Sequence, residues 1–189
     1  MKRREEKEHE TKKHIFIKSP IEWLLTAGMV YESSQVKEKV TLPLSSADET
    51  NFRLYLMDLG FLAYQSGINM STFVNPSVKN TLSGAFFENH VANELQAKNI
   101  PLFFWKGKDN SEFEFLIDDQ NNVIPLDVKK GKGQLPSIKK FKEHNEYTYS
   151  VKISTNNYGY DKENNIVTLP LYMLFAYLND LKERNSHIE

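Results

Sequence analysis

Apolar residues are absent from the chain between Met1 and Ile15, so the opening MKRREEKEHETKKH has no face to bury. Pairs such as Arg4 and Glu8, four apart, favour local helix. Without an apolar stripe, residues 1–18 read as a charged, disordered tail, solvated in preference to a nucleic-acid-binding arm. Ser19-Pro20 has the signature of a helix start, with Ser19 as N-cap and Pro20 at the first helical position. Ile21, Leu24 and Leu25 then share a face, and Gly28 supplies the stop. MVYESSQVKEKVTLPL predicts a strand with an extension. NFRLYLMDLGFLAYQSG predicts a strand running into a short helix near Leu59–Gln65. A helix followed by two strands with a long tip is the latter half of a winged-helix unit. It is equally a plain helix and hairpin, and pattern does not separate the two.

From Leu82 the periodicity changes. GAFFENHVANELQAKN lines up Phe86, Phe87, Val91 and Leu95 on one helical face. LFFWKG reads as a strand. SEFEFLID alternates, with Phe113, Phe115 and Ile117 on one side and Glu112, Glu114 and Leu116 on the other. DQNN is a tight polar turn and VIPLDVKK the returning strand, so the two strands should form a hairpin. SIKKFKEHN reads as a short basic helix and TYSVKIS as a strand. A loop of Asn, Tyr and Gly then leads into VTLPLYMLFAYLNDLKER, a C-terminal amphipathic helix starting near Pro170. Helix, three strands, helix, strand, helix predicts an α/β core, a mixed sheet flanked by helices.

Composition narrows the class. In 189 residues and 22.0 kDa there is room for one good-sized domain, alone or with a small appendage. Hydrophobic residues at 40% are enough for a core, which twelve Phe, nine Tyr and two Trp make aromatic. No apolar run approaches the roughly 18 residues of a membrane span, and the charged start predicts no signal peptide. A cytoplasmic protein is the expectation. The absence of cysteine excludes disulfides, thiolate zinc sites and cysteine nucleophiles. The net charge of −1 hides a local excess: Lys129, Lys130, Lys132, Lys139, Lys140 and Lys142 fall in one acid-free stretch.

Candidate chemistry centres on the predicted hairpin. Asp127 and Lys129, two apart on one strand, should leave the sheet on the same side, roughly 6–7 Å apart. Glu114 on the partner strand should lie beside them, at the about 4.5–5.5 Å of cross-strand neighbours, with Glu88 leaning over from the preceding helix. Converging carboxylates repel one another and invite a hard cation, Mg²⁺ or Mn²⁺. A lysine at the rim suits an activated water or the charge of a phosphoryl transition state. The bland alternative is the wet face of an ordinary sheet.

The segments GAFFENHVANEL, LFFWKGKDNSEFEFLID and VIPLDVKKG resemble the restriction-endonuclease-like PD-(D/E)XK domain that closes many prokaryotic AAA-type ATPases. That family's pattern is a Gly-x-x-x-Glu-Asn helix, an aromatic strand, a Glu-x-Asp strand and a Pro-Ile-Glu-Val-Lys strand. IEWLLTAGMVY, LPL and FRLYLMDLGFLA are similar to its winged-helix part. The resemblance implies a partial winged-helix segment at 19–78 and the nuclease-like domain at 79–189. It puts Glu88, Glu114 and Asp127 at the metal-ligand positions and Lys129 at the lysine, with Glu114, Asp127 and Lys129 catalytic. Glu114 stands where Asp is usual and Asp127 where Glu is usual, which preserves charge and moves length by one methylene each way. No Gly-x-x-x-x-Gly-Lys-[Ser/Thr] sequence occurs, so no ATPase activity is expected. Lys130, Lys132, Lys139 and Lys140 border the site and suit phosphate contacts or a solvated face. His90, Gln134, Tyr158 and Tyr160 are weaker candidates. Two functions follow: a Mg²⁺- or Mn²⁺-dependent DNA nuclease, or a non-catalytic module that binds nucleic acid or regulates an ATPase partner.

Overall fold

In the computed structural model the described residues are 20–47, 50–68, 83–109, 111–129 and 137–186. The expected tail, Lys130, Lys132 and Gln134 lie outside them. Residues 20–26 form the first helix, α1. Gly28 ends it at φ +67, where the amides of Gly28 and Met29 close onto the carbonyls of Leu25 and Leu24. That pairing is a Schellman stop, and its left-handed residue explains the glycine.

Strand β1 (Val30–Gln35) pairs antiparallel with β2 (Phe52–Leu56), from Val30↔Leu56 to Ser34↔Phe52. Helix α2 (Leu59–Gln65) follows, its N-terminus capped by the Asp58 carboxylate accepting from the Phe61 amide at 2.7 Å. The long helix α3 (Ser83–Ala97) leads into β3 (Phe103–Lys106), β4 (Glu112–Asp119) and β5 (Asn122–Lys129). Gln120 and Asn121, at the tip of the β4–β5 hairpin, take φ of 53 and 65. Two consecutive positive φ values define the turn whose twist suits a two-residue hairpin. Helix α4 (Ser137–His144), β6 (Ser150–Ser154), β7 (Gly159–Asp161) and β8 (Ile166–Pro170) come next. A 3₁₀ turn (Leu171–Met173) opens into α5 (Leu174–Ser186).

All eight strands join one mixed sheet in the order β2-β1-β3-β4-β5-β6-β8-β7. The expected α/β class holds. The β1–β2 hairpin does not stand apart: β1 runs parallel to β3 through Ser34↔Phe103 and Gln35↔Phe104, so the hairpin is one edge of the sheet. The Asn/Tyr/Gly segment, expected as loop, contains β7, and the residues just before the C-terminal helix form its antiparallel partner β8. The three residues of β7 are too few for alternation to show, and β8 is specified by pairing with β6 rather than by its own pattern.

Helices cover both faces. Val91, Ala92 and Leu95 of α3 and Leu174, Leu178 and Leu181 of α5 pack on Phe115, Ile117, Leu126 and Ile153. On the other face Ile138 and Phe141 of α4 meet Trp105, Phe113 and Leu116. Phe141 meets Trp105 and Phe113 edge-on, at 5.2 and 5.5 Å between centroids, the orientation that aromatic quadrupoles favour. Among the described residues no helix is long and apolar enough to cross a membrane.

Candidate functional site

A bulge in β4 shapes the site. From Phe103↔Leu116 to Trp105↔Phe113 the register advances two residues on β3 and three on β4. The extra residue falls at Glu114–Phe115, and such an insertion breaks the alternation of faces. Phe113 and Leu116 therefore belong to the core under α4, while Phe115 and Ile117 belong to the core under α3 and α5. The expected single face of Phe113, Phe115 and Ile117, opposite Glu112, Glu114 and Leu116, is corrected accordingly.

The paired register of β4 and β5 ends at Phe115↔Leu126, one step short of Glu114 and Asp127. Beyond it the Glu114 carboxylate replaces the ladder. Its Oε2 accepts from the Val128 amide at 3.1 Å, and its Oε1 accepts from Lys129 Nζ at 3.0 Å. The same ammonium lies 3.0 Å from Asp127 Oδ1. The predicted trio of Glu114, Asp127 and Lys129 is thus together, with the lysine bridging both acids. The Glu114 and Asp127 side chains are only 4% and 1% exposed, whereas Lys129 is 38% exposed and faces water. Asp127 Oδ2 is buried and has no hydrogen-bond partner among the described residues.

Electrostatics match this packing. Burial, then the neighbouring Glu114 charge, pushes the Asp127 carboxyl up to about 7, against the pull of Lys129. Burial alone would lower Lys129, but Glu114 and Asp127 hold it above its ordinary value. Glu88 on α3 is also pushed up to about 7, by burial and then by Glu114, with Arg53 and Lys129 opposing. Glu88 therefore lies within electrostatic reach of the trio, as the sequence suggested. Around the trio, Glu88 feels the charges of Glu114, Arg53, Glu112 and Lys129, Arg53 pairs with Glu112, and buried Lys152 of β6 is the register partner of Asp127.

Four residues that sequence reasoning passed over complete the surroundings. Asn89, next to Glu88, accepts from the Leu56 amide at 2.8 Å and donates to the Leu56 carbonyl at 2.7 Å. Asn93 one turn on donates to the Met57 carbonyl at 3.1 Å. These bonds occupy backbone groups of the outermost strand and fix where α3 presents Glu88. Arg53 pairs with Glu112 at 2.6 Å and lies 4.3 Å over the Phe104 ring. Tyr55, also on β2, packs its ring 5.4 Å from that of Phe115. The Glu-Asn pair on the helix was the one available signal for Asn89. Arg53 and Tyr55 carried none, because nothing in the sequence announced that β2 would reach the hairpin through β1 and β3. Asn89→Ala should destabilise the protein by about 1–3 kcal/mol, the cost of stranding buried partners. Urea unfolding checks it, and an unchanged midpoint would show that the bonds contribute nothing.

The remaining candidates are dispersed. Lys139 and Lys140 lie on the exposed side of α4, opposite Ile138 and Phe141. Lys140 pairs with Glu143 at 3.2 Å and with Asp109 at 3.9 Å, and Lys142 sits 4.1 Å over the Tyr147 ring. Tyr158 and Tyr160 are exposed, and Tyr160 donates to Asn165 Oδ1 at 2.9 Å. His90 is half-buried on α3. Among the described residues no three acids or histidines form a ready-made metal cage.

Residues 83–172 match a family model described as a domain of unknown function, DUF4143. The matched stretch takes in Glu88, Asn89, Glu114, Asp127 and Lys129, and leaves Arg53 and Tyr55 outside it. No curated protein and no solved structure matches the chain.

Proposed function

We propose that this chain is a restriction-endonuclease-like, Mg²⁺- or Mn²⁺-dependent DNA nuclease module of the kind that accompanies AAA-type ATPases in the cytoplasm, with β1 and β2 as the remnant of a winged helix. The observation that carries the reading is the buried pair of carboxylates, Glu114 and Asp127, at the end of the β4–β5 hairpin, with one Asp127 oxygen unpartnered. Two carboxyls there, Glu88 and Asp127, are pushed up to about 7 by burial and then by the Glu114 charge, against the pull of Lys129. An oxygen-only set of carboxylates with an unpartnered buried oxygen on Asp127 fits a hard divalent ion. Glu88, Glu114 and Asp127 would hold it. Such an ion supplies Lewis acidity and lowers the pKa of a bound water. Lys129, half in water, is placed to orient an attacking water and to stabilise charge gathering on a phosphate. The exposed lysines of α4, Lys139 and Lys140, with Lys130 and Lys132 of the segment after β5, are the proposed contacts to the DNA backbone.

One observation favours a non-catalytic reading. Lys129 lies 3.0 Å from both Glu114 and Asp127, a closed ion triad of the sort that serves structure alone. In that case the module binds nucleic acid or regulates an ATPase partner without cutting. Calorimetry with Mn²⁺ on the wild type and Asp127→Asn, each followed by plasmid nicking, separates the two. Binding and nicking in the wild type, both lost in the variant, support the nuclease. A wild type that neither binds nor nicks leaves the binding module.

A further inference from the structure

Tyr55 is 6% exposed, and its hydroxyl is buried with no hydrogen-bond partner among the described residues. Its position is set from two sides. The ring lies against Phe115, the residue after Glu114. The backbone of the next residue, Leu56, is clamped by both ends of the Asn89 amide, and Asn89 follows Glu88. The tyrosine is therefore wedged between the neighbours of two acids of the cluster. Burial, then the charge of Glu88, raises its own hydroxyl to about 12 against the opposing pull of Arg53, so the group keeps its proton at every working pH. A phenylalanine would fill this ring site without leaving a polar atom unpaired, and an unpaired buried hydroxyl is costly.

We infer that Tyr55 is a positioning residue of the carboxylate cluster, its hydroxyl being the donor that orients Glu88 when the site holds a divalent cation. This rests on the metal-binding reading above. Outer partners of this kind orient the ligands of a metal site, and losing one typically weakens binding about 10–100-fold. The β1–β2 hairpin then belongs to the site as well as to the sheet, because β2 delivers a neutral side-chain donor beside the acids.

The test uses the full chain as Tyr55→Phe, read by Mn²⁺ calorimetry and by thermal unfolding with and without Mn²⁺. The expected result is about a tenfold loss of Mn²⁺ affinity, with ion-free stability changed far less, since the interaction of the hydroxyl with Arg53 lies at a guanidinium already paired with Glu112. Tyr149→Phe is the control: its hydroxyl donates to Asp119 at 3.2 Å, and its removal should leave Mn²⁺ affinity unchanged. Equal Mn²⁺ affinity in wild type and Tyr55→Phe overturns the role of Tyr55 and leaves the metal site standing. A loss of ion-free stability equal to the loss of affinity also overturns it, by making the hydroxyl structural. No Mn²⁺ binding by the wild type overturns the metal reading and this inference together.

Discussion

Lys129→Met is expected to lower the stability of the ion-free protein by about 1–3 kcal/mol at pH 8, less than the about 3–5 kcal/mol for one partner of a fully buried pair, because water screens the 38% exposed lysine. Methionine keeps most of the side chain's length and its apolar stem, so the change isolates the ammonium. What it leaves behind is Glu114 and Asp127, 4% and 1% exposed, with no cation between them. The size of the loss should depend on pH. Asp127 titrates near 7 in the folded protein, well above the ordinary carboxylate range. The native state therefore binds more protons than the unfolded chain between about pH 4 and 7, and stability falls as pH rises through that window. At pH 5 Asp127 carries its proton, one negative charge is gone, and the loss on removing Lys129 should shrink. Urea unfolding of both proteins at pH 5 and pH 8 measures this. An equal loss at the two pH values would sink the argument that the lysine's main role is to compensate ionised acids.

How much of this could be read from the residues varies by element. Turn chemistry was enough for the β4–β5 hairpin, because DQNN sets a polar turn with an Asn that tolerates positive φ between two apolar runs. Leu59–Gln65 was legible because a capping Asp precedes an apolar cluster. The trio of Glu114, Asp127 and Lys129 was legible from spacing, but the reason it forms was not. Spacing assumed an unbroken ladder with Glu114 directly opposite Asp127, whereas the register stops at Phe115↔Leu126 and a bulge turns Glu114 toward the Val128 amide. A bulge has no period, so hydrophobic patterning cannot locate it. The contribution of β2 was hidden for a different reason. Arg53 and Tyr55 meet the hairpin only because β1 pairs with β3 across a long stretch of sequence, a tertiary fact that no local pattern encodes.

The fold also explains why these acids tolerate their surroundings. Glu114 is satisfied by a backbone amide and an ammonium, which compensates its burial. Asp127 has one oxygen on Lys129 and the other unpartnered. A residue kept in that condition lowers the stability of the ion-free protein above neutral pH, and a site that works by binding a cation has a reason to accept the cost. The nuclease proposal therefore stands or falls on whether a cation relieves it.

That relief should appear as a pH dependence of Mn²⁺ affinity. Because Asp127 and Glu88 hold protons up to about 7, an ion entering below neutrality has to displace them. Affinity should rise by about tenfold per pH unit below 7 for each proton displaced, since one unit of pKa corresponds to about 1.4 kcal/mol. It should level off above pH 8, where both groups are already ionised. The same linkage predicts that the ion-free protein weakens from pH 5 to 8 while Mn²⁺ affinity strengthens, and the two slopes cancel in the saturated protein, whose stability stays level over that range. In Asp127→Asn the proton at this site is gone, so both slopes should flatten, and the ion-free variant should be more stable than wild type at pH 8. Calorimetry at pH 6, 7 and 8 in two buffers of different ionisation enthalpy counts the released protons directly. A Mn²⁺ affinity flat across that range, with no protons released, would mean that the ion, if it binds, does not bind at Glu88 and Asp127.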